Sequence, residues 1–332
     1  MSATAETALA LVLLVVGFAL SASPAGQALS DAVAGALAAA AAPVLYLFEP
    51  DILRQGTELR SPAGWAIRVS AVCDGHGLAI SLAAGLTALR GGLRRLLIGL
   101  AAIQLFNLTR IIVLALLLAR APETFDTVHA VVFPFLTVAL LTFCLLPATQ
   151  ASRLLMLALP LTALWLPFAD ALSIPLAKAA DLLLSVIPAP EIGTLAERAS
   201  GWSVGTNLLA SVDNGKISLF ISPLRPADFA LGVPVILAAV LLSSRPGWLL
   251  PTAVSLLLAL TAASFTAVWN LADAHAPATL LLPDGSGAWL PVEFSPPAYW
   301  QALIRLVQNT LVHFNLLVLP LMIASRPRRR SA

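Results

Sequence analysis

Three side chains suited to acyl transfer stand far apart in this sequence: the thiol of Cys73, the guanidinium of Arg110 and the imidazole of His129. A thiolate attacks a carbonyl carbon, an imidazole carries protons to and from the reacting atoms, and a fixed cation stabilises the developing oxyanion. Each lies near the boundary of a different apolar stretch, so the topology of those stretches decides whether the three can meet.

With 59% hydrophobic and only 11% charged residues and a mean hydropathy of +0.91, the chain is far from the balance of a water-soluble domain. It reads as an all-α polytopic membrane protein. A hydrocarbon core of roughly 30 Å takes about 20 apolar helical residues. Eight stretches offer that pattern: 5–22, 74–90, 96–119, 128–147, 153–173, 227–244, 248–270 and 300–324. Alanine-rich 31–47 offers a ninth, but the topology works better with that segment in the outer interface.

Excess Lys and Arg in short loops mark the cytoplasmic side of a membrane. Arg90, Arg94 and Arg95 follow the second stretch, Arg153 the fourth, Arg245 the sixth, and Arg326, Arg328, Arg329 and Arg330 the eighth. All fall on one side if eight helices cross. Both termini are then cytoplasmic, and residues 23–73, 120–127, 174–226 and 271–299 are outside. The small residues Ser21 to Ala25 would suit a signal cleavage site, but no Lys or Arg precedes the first apolar run, which favours an uncleaved helix. The basic tail suits a topology anchor and not a nucleic-acid arm. No glycine loop for a nucleotide and no zinc-type cysteine pair is visible, so no cofactor or metal is expected.

The outer segments carry strand signals. Thr57–Arg60 and Trp65–Val72 read as extended arms around Ser61-Pro62-Ala63-Gly64. Asp213-Asn214-Gly215, between Ser203–Ser211 and Lys216–Ser222, is a hairpin signal, and Asp284-Gly285 marks a second hairpin between Leu280 and Phe294. Small extracytoplasmic β-hairpin elements are therefore expected over the helices. Trp202 reads as an interfacial anchor, and Arg225 with Asp228 as a loop end.

Helix rise sets the depths. Arg110 lies fourteen positions beyond Leu96, about 21 Å from the cytoplasmic start of its helix. A charge inside a membrane helix costs about 2.5–3.5 kcal/mol on insertion scales and usually serves a polar site. Asn107 shares its face one turn below. His129 opens the next helix from the outer side, and Asp126 three residues earlier either orients the imidazole or caps that helix. Cys144, the second of two cysteines, lies about 22 Å deeper than His129, too far from Cys73 for a disulfide. Cys73 precedes an apolar helix whose dipole favours a thiolate, whereas the adjacent Asp74 opposes ionisation. Two other readings use the same residues. A buried Arg among eight helices could serve a transporter with a polar site at its outer face, and Cys73, Asp74, His76 and His129 together would suit zinc.

The segments AVCDGHGLAISLAAGL, RRLLIGLAAIQLFNLTRIIVLALLL and FDTVHAVVFPFLTV resemble the core of the exosortase/archaeosortase family. In that pattern a Cys before a small polar residue and Gly precedes one helix, Asn-x-x-Arg lies within the next and His begins the one after. Cys73, Asn107, Arg110 and His129 fill those slots. The resemblance implies a thiol protease or transpeptidase of the bacterial inner (cytoplasmic) membrane, with its catalytic residues facing outside. Its partners would be exported proteins whose C-terminal sorting signal joins a short motif, a transmembrane helix and a basic cluster. Residues 1–147 would form the catalytic membrane domain, and spacing is similar to the exosortase H branch. Residues 148–332 would be a second membrane domain similar to a companion protein of that branch. Asp74 and His76 depart from the pattern, and His76 adds a second candidate base.

Overall fold

In the computed structural model, the residues described are 3–70, 74–189, 191–198, 201–212, 216–224, 232–243, 246–274, 278–283, 286 and 288–325. Cys73, Arg225, Asp228, Arg245, the turns at 213–215 and 284–285, and the arginines from Arg326 lie outside them. Among the described residues, five helical runs are long and apolar enough to cross a membrane: Pro24–Tyr46, Leu93–Arg120, Ala148–Val186, Pro246–Asp273 and Ala298–Ala324. Shorter apolar helices cover Ala5–Ser21, His76–Ala88, Phe133–Leu145 and Val233–Ser243. This is a helical membrane protein, but it is not all-α. The chain divides into two compact units, Met1–Met156 with Leu316–Ala332, and Leu157–Asn315.

The first unit opens with α1 (Ala3–Ser21) and α2 (Pro24–Tyr46). Ser23 caps α2 by accepting from the Gly26 amide at 3.2 Å, and Pro24 sits where its missing N–H costs nothing. Residues 31–47, expected in the interface, fall almost wholly within this 23-residue helix, which could itself cross. Three short antiparallel strands follow, β1 (Leu53–Gln55), β2 (Glu58–Arg60) and β3 (Ala66–Arg68). The 61–64 turn forms where its sequence indicated, with Gly64 at φ +97°. Ile52, Leu59 and Val69 join α2 residues Leu37 to Leu45 in one core with Ile111 and Ala115.

Helix α3 (His76–Ala88) is central to this unit, and small residues let its neighbours approach. Gly17 of α1 meets Ile80, Gly99 of α4 (Leu93–Arg120) meets Leu82, and Gly85 meets Leu145 of α6 (Phe133–Leu145). An added Cβ would stand 2.5 Å from Ile80 in the first case and 2.5 Å from Leu82 in the second. Before α6, one turn of α5 (Phe125–Thr127) passes into a π-helical turn, Val128–Val132. Leu319–Ala324 forms a final buried helix, α12, whose residues Leu319 to Ile323 are all buried.

The second unit contains the second half of α7 (Ala148–Trp165), then α8 (Ala169–Val186), α9 (Val233–Ser243), α10 (Leu249–Ala274) and α11 (Ala298–His313). Residues 174–186, expected outside, continue α8. Leu172 and Leu176 face one cavity with Val254 and Leu257, while Leu183 and Ile187 face another with Phe265 and Trp269. Helices α8 and α10 therefore run in the same direction.

The two expected hairpins are parts of one five-stranded sheet. β5 (Gly201–Val212) pairs with β6 (Lys216–Leu224), and β7 (Ala278–Pro283) pairs with β8 (Trp289–Phe294). Leu208 and Leu209 of β5 join Leu280 and Thr279 of β7, and an unanticipated β4 (Ile192–Arg198) pairs with the first half of β5. Trp202 is a correction: it is 6% exposed, within the core formed by Leu195, Val204, Leu224, Leu260 and Trp269. Sheet pairing turns its ring inward, so it is no interfacial anchor.

Candidate functional site

Asp74 is fully buried just before α3, and its carboxylate gathers three donors. Oδ1 accepts from the His76 backbone N–H at 2.8 Å and bonds His76 Nδ1 at 2.7 Å, while Oδ2 accepts from the Ser30 hydroxyl of α2. A carboxylate can only accept, so Nδ1 carries the hydrogen of that bond. His76 also meets Phe18 of α1 edge-on at 6.5 Å. The backbone then turns through Gly75 at φ +82°, a left-handed conformation that suits glycine.

Gly75 also clears space for α4. Asn107 is 1% exposed, and its Nδ2 has no hydrogen-bond partner among the described residues. A Cβ on residue 75 would stand 1.9 Å from that nitrogen. Arg110, three residues on, shares the same helix face. Its guanidinium carbon lies 5.8 Å from the centroid of Phe133, and its buried Nε has no partner among the described residues. Phe106, one turn earlier, meets the same ring edge-on at 5.7 Å.

His129 stands on the π-helical turn four residues before Phe133, stacked on Phe125 at 5.4 Å. The charges of Arg110 and Asp126 both reach it. No hydrogen bond joins Asp126 to His129 among the described residues, and Asp126 lies inside α5, whose N-cap is Thr124. It is therefore not the helix cap the sequence allowed.

Asp74, His76, Asn107, Arg110 and His129 thus form one chain of neighbours linked through Gly75 and Phe133. Cys144 stands apart. Arg95 is the charge that acts on it, and Arg95 precedes Asn107 by twelve residues, about 18 Å of helix. Among the described residues no three His, Cys, Asp or Glu side chains gather to hold a metal.

No family model, curated protein or solved structure matches this chain. The site accordingly rests on its own chemistry: a buried carboxylate that orients an imidazole, a buried amide N–H without a partner among the described residues, and a guanidinium over the ring that follows a second imidazole by one turn. Sequence reasoning missed Ser30, Phe125 and Phe133. Ser30 gave no signal, being one polar residue in an alanine-rich helix that meets Asp74 across 44 positions. Phe133 could have been found, because it follows His129 by one helical turn.

Proposed function

We propose that this protein is a membrane-embedded cysteine peptidase or transpeptidase that removes the C-terminal sorting signal of exported proteins. In this reading eight helices cross a bacterial cytoplasmic membrane and the site faces outward. One observation carries the proposal: two residues beyond Cys73, Gly75 packs against the Asn107 amide, with Arg110 one turn on along α4 and His129 one turn before Phe133, the ring that lies beside Arg110. Cys73 precedes Asp74 by one peptide bond.

His129 takes the Cys73 thiol proton, and the sulfur attacks the scissile carbonyl carbon, forming a C–S bond. Arg110 and the Asn107 amide donate to the oxyanion. Collapse breaks the C–N bond, His129 protonates the departing amine, and a thioester remains on Cys73. An acceptor amine or water attacks it and restores the thiol. His76, held by Asp74, is the competing base.

The test co-expresses the full chain with an exported reporter from the same genome whose tail joins a short motif, an apolar helix and a basic cluster. Wild type shortens the reporter, and Cys73→Ala leaves it full-length in the membrane at unchanged enzyme level. Processing by Cys73→Ala overturns the proposal. Separate His129→Gln and His76→Gln variants identify the base as the one whose loss stops turnover.

A further inference from the structure

The second unit contains a cleft of about 770 Å³ with no part in the cysteine chemistry. Its walls are the last turns of α8, the C-terminal half of α10, the first turns of α11 and the adjoining strand ends. Most of the lining is apolar, with Leu183, Leu258, Phe265 and Ile304 representative. Two carboxylates break that pattern. Glu191, just before β4, and Glu293 in β8 both line the cleft, and neither has an ion-pair or hydrogen-bond partner for its carboxylate among the described residues. Trp269, which also lines it, is 5% exposed and adds a broad apolar wall.

Two carboxylates without a cationic partner at the rim of an apolar cleft complement a cation carried on an apolar body. The level of the cleft identifies the source. Tyr299 and Trp300 at the start of α11 are 68% and 46% exposed, as aromatic residues at a membrane interface are. Leu258 and Leu303, 45% exposed each, present aliphatic surface on helices apolar enough to cross. The carboxylates thus stand where headgroups lie, and the apolar walls run toward the acyl region.

We propose that this cleft is a binding site for an aminophospholipid of the surrounding bilayer. The primary ammonium sits between Glu191 and Glu293, and acyl chain lies against Leu258 and Ile304. Glycerol-headed lipids offer no ammonium and face two carboxylates. The cleft therefore discriminates by headgroup charge, and the preference weakens with salt because the carboxylates are partly exposed.

Full-length protein in mild detergent is offered an equimolar mixture of phosphatidylethanolamine and phosphatidylglycerol of equal chain length, and retained lipid is counted by native mass spectrometry. Phosphatidylethanolamine should be retained at least about fivefold over phosphatidylglycerol, an affinity difference of about 1 kcal/mol. E191Q/E293Q should bring the ratio below about two, and E191K/E293K should reverse it. Circular dichroism and melting temperature check that both variants fold. Equal retention by wild type, or a preference that survives E191Q/E293Q, overturns the proposal. So does retention of neither lipid while an apolar lysine-tailed peptide binds.

Discussion

Gly75 and Asn107 are fitted to each other. The left-handed backbone at Gly75 brings α3 close enough to α4 that a Cβ there would fall 1.9 Å from Asn107 Nδ2 and 3.1 Å from Ile103 Cγ2. Gly75→Ala is therefore opposed twice, by about 1–2 kcal/mol for a left-handed alanine and by displacement of the Asn107 amide. Unfolding in detergent should show at least the first loss. Adding Asn107→Ala should recover the clash component alone, and an unchanged stability in Gly75→Ala would contradict the fit.

Among the described residues, the hydrogen bond to Asp74 Oδ2 comes from the Ser30 hydroxyl, which belongs to another helix. Ser30→Ala leaves one oxygen of a fully buried carboxylate unmet, at a cost of about 1–3 kcal/mol. Ser30→Thr keeps the hydroxyl and should lose less. Chemical unfolding of the full chain separates the two variants, and equal stability of Ser30→Ala and wild type would mean the bond contributes nothing.

Arg110→Lys tests shape apart from charge. The guanidinium spreads beside Phe133 with its Nε buried, whereas an ammonium is a compact point charge that presents no planar fork. Reporter processing should fall roughly 100-fold or more, the scale set by loss of an oxyanion donor. Protein level and melting temperature should hold. Activity within a few-fold of wild type would mean that Arg110 supplies only charge.

These contacts show what a sequence discloses. Helix α4 was legible to within about three residues at its ends, because Arg94, Arg95 and Arg120 flank one apolar run. The shared face of Asn107 and Arg110 was legible because a three-residue spacing within one helix fixes it. Asp213-Asn214-Gly215 gave the β5–β6 pair. Strand β4 was not visible, since Ile192–Arg198 does not alternate and is held only by pairing with β5. The length of α8 was hidden by Pro160, Pro167 and Pro175, which punctuate a soluble sequence but are tolerated where neighbouring helices satisfy the freed backbone. Ser30 depended on the direction of α2, which no local pattern records.

Glu58 makes the small sheet of the first unit sensitive to acid. It accepts from Arg60 at 2.5 Å and Arg68 at 3.3 Å, and the hydrogen bond from Arg60 chiefly holds its carboxyl below the ordinary value of 4.5. A folded value lower than the unfolded one means that the pairs stabilise the sheet above pH 4.5 and lose that contribution as pH falls through the folded value. Pepsin cleavage within residues 53–68 should therefore accelerate between about pH 5 and pH 3 in wild type. In Glu58→Gln it should already be fast at the upper end, and an identical profile in both proteins would remove Glu58 as the cause.

Trp202 distinguishes a core residue from a membrane anchor. Its ring is 6% exposed among Leu195, Leu224 and Leu260, so truncation opens a cavity where strand meets helix. Trp202→Ala should destabilise the second unit by about 3–5 kcal/mol, within the range for buried aromatic deletions. Tyr299, 68% exposed, provides the contrast: Tyr299→Ala should stay within about 0.5 kcal/mol. Limited proteolysis confined to residues 157–315 localises the change, because the ring's core neighbours all belong to that unit. Equal small losses for both variants would return Trp202 to the membrane surface. A large loss for Trp202 alone means that the sheet and helices of this unit share one core, so disrupting β5 should also loosen α10.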